Sequence, residues 1–65
     1  MTRVYVVTRK FEVCHGHRPR GVGGWAFTYG ADPFIHWFNG LYSRARWHAV
    51  AEARSLGFDL VTVQP

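Results

Sequence analysis

The chain has one cysteine, Cys14, so no intrachain disulfide can brace it, and such sparing use of cysteine fits a reducing cytosol. It also lacks any run approaching the ~20 apolar residues of a membrane span. Its opening, Met1-Thr2-Arg3-Val4-Tyr5-Val6-Val7, has neither the apolar core nor the small-residue cleavage site of a signal peptide. A soluble cytoplasmic protein is expected. Acidic residues are scarce, four against eight Lys and Arg, and the resulting formal charge of +4 favours acidic partners without specifying a fold. Lysine occurs only as Lys10, isoleucine only as Ile35 and asparagine only as Asn39, a bias toward Arg, Ala and Gly that fits a GC-rich coding genome.

The same scarcity limits the chemistry. Cys14, His15 and His17 form the one metal-like cluster, but a closed zinc site needs four ligands, and His36 and His48 would have to be recruited from far along the chain. Neither a metal nor a cofactor is expected. A thiol nucleophile at Cys14 would need a base held by a third group, together with oxyanion donors; adjacent residues on a strand point to opposite faces, so Cys14 and His15 do not make such a pair. The carboxylates Glu12, Asp32, Glu52 and Asp59 are scattered, and Gly21-Val22-Gly23-Gly24 lacks the strand-to-helix context and the Lys-Ser/Thr of a phosphate loop. The chain does not read as an enzyme.

Aromatic side chains, by contrast, are dense. Trp25, Phe27, Tyr29, Phe34, Trp37 and Phe38 crowd one short segment. At 65 residues the chain is a single small domain, residues 1–65, of a size that buries only about 60% of its unfolded surface. Arg3 to Val13 is rich in Val, Tyr and Phe and predicts a long first strand with a bulge near Thr8. Residues 14–24, with their Gly and Pro, predict a mobile basic hairpin loop. Trp25 to Tyr29 alternates large and small residues, the period-two mark of a strand with one buried face. Phe34 to Phe38 predicts a third strand, closed by Asn39-Gly40. Ser43 is placed to N-cap a helix over residues 44–56, with Tyr42 and Trp47 at the spacing of a hydrophobic staple. Ala45, Ala49, Ala53 and Leu56 form its inward stripe, and Gly57 sits where a left-handed residue would stop it. Phe58 to Val63 completes the set.

The expected fold is α+β in two layers: a three-stranded antiparallel meander, one helix, and a fourth strand parallel to the first and beside it, giving order 4-1-2-3. One sheet face would be covered by the helix and the other left open.

The run of three strands, the segment Gly40-Leu41-Tyr42-Ser43-Arg44-Ala45, a helix carrying Ala49 and a last strand resemble the partial RNase H-like layout of HicB-type antitoxins. They also resemble small uncharacterised hairpin-helix-strand proteins of actinobacteria and their phages, whose strand start is similar to Gly24-Trp25. The resemblance implies binding to another protein rather than catalysis.

The leading expectation is therefore a small non-enzymatic binding protein of phage or mobile-element type that docks on a host protein in the host cytoplasm. Trp37 and Ile35 on the sheet, with Trp47, Val50 and Arg54 along one side of the helix, are its candidate partner-binding residues, since Trp and Arg are enriched at interface hot spots. A homodimer through the open sheet face would explain the same hydrophobicity. The alternative is a nucleic-acid-binding module in which Arg9, Lys10, Arg18 and Arg20 contact phosphates while Trp37 stacks on bases. A structural protein such as a minor virion component is a third class.

Overall fold

The structure, a computed structural model, describes residues 3–65. Met1 and Thr2, part of the opening read above for a signal peptide, lie outside the described residues. The chain runs β1 (Tyr5–Val7), α1 (Arg9–His15), β2 (Val22–Tyr29), β3 (His36–Leu41), α2 (Tyr42–Ser55) and β4 (Leu60–Val63). The α+β class is as expected, but the described residues form two helices, and the sheet order is β1-β4-β2-β3. β4 is parallel to β1, as expected, and antiparallel to β2.

Two expectations change together here. The long first strand stops at Val7, and Arg9 to His15 forms a two-turn helix despite its strand-prone Val and Phe. The helix is held by Phe11, which is buried against Trp25 with ring centroids 5.6 Å apart, and by Gly16, which at φ 75° returns its N–H to the Glu12 carbonyl. Tertiary burial has overridden local preference. Because α1 carries the chain away from β1, β1 and β2 are not a hairpin and a slot stays open between them. β4 fills that slot: Val61 and Val63 are fully buried, which suits an interior strand, while the three-residue β1 suits an edge.

The remaining bounds shift for local reasons. The loop expected over 14–24 shrinks to 16–21, because Cys14 and His15 belong to α1 and Val22, Gly23 and Gly24 belong to β2. β3 begins at His36 rather than Phe34 and includes Asn39 and Gly40. Leu41, not Ser43, is the N-cap of α2, and it offers no side-chain cap. The strand runs straight into the helix. Gly40, at φ 116°, makes the bend, a conformation that suits glycine, and the Gly21 carbonyl accepts the Tyr42 N–H at 2.8 Å. Tyr42 packs on Trp25, ring centroids 5.0 Å apart, and so does not form the expected staple with Trp47.

The other end of α2 follows the sequence. Gly57 is left-handed; its N–H bonds to the Arg54 carbonyl while the Phe58 N–H bonds to the Ala53 carbonyl, the paired bonds of a Schellman stop. Leu56, expected in the buried stripe, is exposed at this end, whereas Ala45, Ala49 and Ala53 are buried. Beneath them lie Trp25, Phe27 and Tyr29, so small residues on the helix face large ones on the sheet. Fully burying a side chain of the size of Phe27 contributes about 1.5–3 kcal/mol. Both helices supply residues to this one core, so both lie on the same side of the sheet.

Candidate functional site

The alternation of each strand now fixes what the uncovered side carries. Val4 and Val6 pack toward the core, which turns Tyr5 and Val7 outward. On β4, Val61 and Val63 point in, leaving Leu60 and Thr62 out. On β2 the inward row is Trp25, Phe27 and Tyr29, so Gly24, Ala26 and Thr28 look outward. On β3, His36 and Phe38 turn to the helical side, where they meet Tyr29 and Phe27, and Trp37, Asn39 and Leu41 turn away. Phe34 meets His36 on the helical side, ring centroids 4.9 Å apart, and Ile35 therefore joins the Trp37 side.

Not one of these outward strand positions is Asp, Glu, Lys or Arg. A sheet face in contact with water ordinarily alternates toward charge and polarity. This one exposes Tyr5, Val7, Ile35, Trp37 and Leu41, with Trp37 68% accessible. Its polar content is modest, notably Thr28, Thr62 and Gln64, with the Gln64 amide donating to the Thr28 hydroxyl at 2.8 Å. Trp37 and Ile35 thus share a surface, as the sequence suggested.

The second candidate set lies elsewhere. Trp47 is 66% accessible on the outer side of α2, with exposed Arg54 and half-buried Val50 along the same stripe. The stripe is about a third of a turn from the buried alanines. With Ser43, Arg44 and His48, Trp47 lines a shallow depression of about 380 Å³. The sheet patch and the helix patch therefore occupy opposite sides of the molecule and do not form one site.

The basic set is also redistributed. Arg9 and Lys10, expected on a strand, sit on α1, while Arg18 and Arg20 remain on the loop. Arg18 Nε lies 4.0 Å from Glu12 Oε1, and the arginine is almost fully exposed, a pairing that contributes little. α1 is on the helical side of the sheet and Trp37 on the other, so Arg9 and Lys10 are not beside the indole that was to stack.

One cluster escaped the sequence reading. Glu52 Oε1 accepts the Tyr29 hydroxyl at 2.8 Å and contacts His36 Nδ1 at 2.9 Å, while the His36 ring stacks on Tyr29 with centroids 4.0 Å apart. Burial, then the hydrogen bond to Glu52 and its negative charge, hold the Tyr29 phenol far above its ordinary value of 10.0. The phenol remains a donor. The three residues tie β2, β3 and α2 together at one end of the core. A signal for this was present: Glu52 lies beside Ala45 and Ala49 on the helical wheel, so it stands at the margin between the sheet and solvent. The depression at Trp47 is lined by other residues.

Among the described residues, no three His, Cys, Asp or Glu side chains gather where they could hold a metal ion. Cys14 is exposed on α1. His15 stacks on Phe11, centroids 4.2 Å apart, and His17 lies at its edge, so these histidines border the α1 anchor. No described helix is long and apolar enough to cross a membrane. Comparisons with protein-family models, curated proteins and solved structures find no match to this chain.

Proposed function

We propose that the protein is a non-enzymatic binding module that works by protein docking, with the open sheet face as its principal contact surface. The observation that carries this reading is the absence of charge from the outward strand positions, combined with the exposure of Trp37, Ile35 and Leu41. Apolar surface of this kind is stabilised by removal from water against another apolar surface. Phosphate recognition needs several cations, and the outward strand positions supply none, with Arg3 over the Tyr5 ring at the rim.

A nucleic-acid reading survives in altered form, because Arg44 and Trp47 line one depression and could offer a cation and a stacking surface together. The two readings part under one experiment. The tagged protein is used for capture from lysate with and without nuclease and at low and high salt, alongside Trp37→Asp and Trp47→Ala. Protein docking through the sheet predicts retained proteins that persist through nuclease and salt and are lost with Trp37→Asp. Retention that disappears on nuclease treatment, or falls steeply with salt and with Trp47→Ala alone, would transfer the function to nucleic acid.

A further inference from the structure

We infer that the free edge of β3 takes up an extended segment of a partner protein as an added antiparallel strand, selected by a carboxylate on the helical side. This rests on the docking role proposed above and names the partner's chemistry.

Among the described residues β3 has β2 on one side and no strand on the other. The Tyr42 N–H bonds to the Gly21 carbonyl, and these two residues continue the β2–β3 register by one step. Bonded and non-bonded positions alternate along an antiparallel pair, so Gly40, Phe38 and His36 direct their backbone groups to β2. The far side of β2 agrees. The Gln64 N–H bonds to the Ala26 carbonyl and the Gly30 N–H to the Leu60 carbonyl, so Ala26 and Thr28 serve β4 and leave Trp25 and Phe27 to serve β3. The N–H and C=O of Trp37 and Asn39, and the N–H of Leu41, therefore point away from β2, off the edge of the sheet.

An edge in water is ordinarily guarded by Lys, Pro, a bulge or sheer brevity. β1, the opposite edge, is guarded by its three-residue length. β3 is not guarded. His36 to Leu41 contains no Lys, Arg, Asp, Glu or Pro, its register with β2 is unbroken, and Trp37, Asn39 and Leu41 are exposed. Such a strand is a template for pairing with another chain.

α2 decides which strand fits. It runs back over β3 in step with it: His36 meets Glu52 at 2.9 Å, and the Phe38 ring stacks on His48 with centroids 6.0 Å apart. Two residues of strand and four of helix both advance by about 6 Å, so Arg44 comes level with Gly40. A Cβ on Gly40 would meet nothing within 4 Å, so the step beside Arg44 is open, and no described carboxylate pairs with this arginine. An antiparallel strand on this edge sets the residues opposite Leu41, Asn39 and Trp37 on the uncharged face. The residue opposite Gly40 lies on the helical side, within reach of the guanidinium. Apolar side chains suit the first set and a carboxylate the second. A second copy offers no such group on this flank, because its Glu52 is held by Tyr29 and His36.

The probe is the peptide acetyl-Val-Glu-Val-Thr-Val-Thr-amide, whose valines fall opposite Leu41, Asn39 and Trp37 and whose Glu falls opposite Gly40. Binding to the full chain is read by amide-resolved NMR. At saturating peptide, exchange of the Trp37, Asn39 and Leu41 amide protons should slow by roughly tenfold or more, with Tyr5 to Val7 unchanged. N-methylation of the valines, whose N–H groups face β3, should abolish binding; N-methylation of the Glu and threonines, whose N–H groups face away, should not. Lys in place of the probe's Glu should weaken binding roughly fivefold, and Arg44→Glu should reverse that preference. Asn39→Pro removes an outward donor while leaving the β2 ladder intact and should weaken the original probe roughly tenfold, with circular dichroism establishing that the variant is folded.

Amides of Trp37, Asn39 and Leu41 left unprotected at millimolar peptide, or binding indifferent to both methylation sets, would overturn the edge as a contact; the sheet-face docking proposed above still answers to the capture experiment. Loss on methylation of the Glu and threonines alone overturns the antiparallel direction. Equal binding of the Glu and Lys probes overturns the selection by Arg44. Protection of the same amides on raising protein concentration without peptide assigns the edge to a second copy and overturns the foreign segment.

Discussion

Tyr29, Glu52 and His36 show how much one carboxylate organises. Glu52 receives two donors while the Tyr29 side chain itself is fully buried, so removing the hydroxyl deletes a charge-assisted bond without opening a large cavity. Tyr29→Phe should lower stability by about 1–3 kcal/mol in urea unfolding at neutral pH. The alkaline limb carries a second test. Tyr29 and, through burial partly opposed by Arg46, Tyr42 both have their phenol pKa raised in the folded chain. The unfolded chain sheds these protons first, so their contribution is complete below the ordinary value of 10.0 and is lost as pH rises beyond it. Thermal melts should therefore fall in Tm above that pH, and less steeply in Tyr29→Phe. Gly30 is the other residue with no substitute: its φ is 53°, and a Cβ there would lie 2.8 Å from the Phe58 ring. Gly30→Ala should cost about 1–3 kcal/mol, measurable in the same urea titration.

The elements divide by how local their signals are. Trp25 to Tyr29, the alanine stripe and the Gly57 stop were legible because each depends on spacing within one element. α1 was not, since residues 9–13 read as the end of a strand, and Cys14 and His15 as the start of a loop, until Phe11 finds Trp25. Phe11→Ala tests that account directly. It should cost about 3 kcal/mol and release α1, seen as loss of amide-exchange protection over residues 9–15 while β2 and β3 stay protected. Persistence of that protection would mean that α1 is held by something other than its buried ring. The strand order was hidden for the same reason: a hairpin between the first two strands seemed required only while α1 was absent. The candidate site fared similarly. Alternation correctly paired Trp37 with Ile35, but their separation from Trp47, and that of Arg9 and Lys10 from Trp37, depended on both helices sharing one side.

At the scale of the molecule, the chain segregates its surface into an uncharged sheet and a cationic helical layer. The edges behave differently from the face. β1 shields one side of β4 with only three residues. Val6→Asp, which places a charge against the core, should expel β1 and leave the β4 ladder open. The expected readout is a rise in light scattering on mild heating that Tyr5→Asp, outward on the same strand, does not produce.

The position of β4 also sets an order of events. β4, which lies inside the sheet, follows the other described strands in sequence, and β1 has no strand partner until β4 is in place. Tyr5 must wait for Leu60. The hairpin of β2 and β3 with α2 can assemble from neighbouring sequence, but the sheet closes only through contacts spanning nearly the whole chain. The long-range pairing of β1 with β4 predicts slower folding than that of a helical domain of similar length, measurable by stopped-flow refolding.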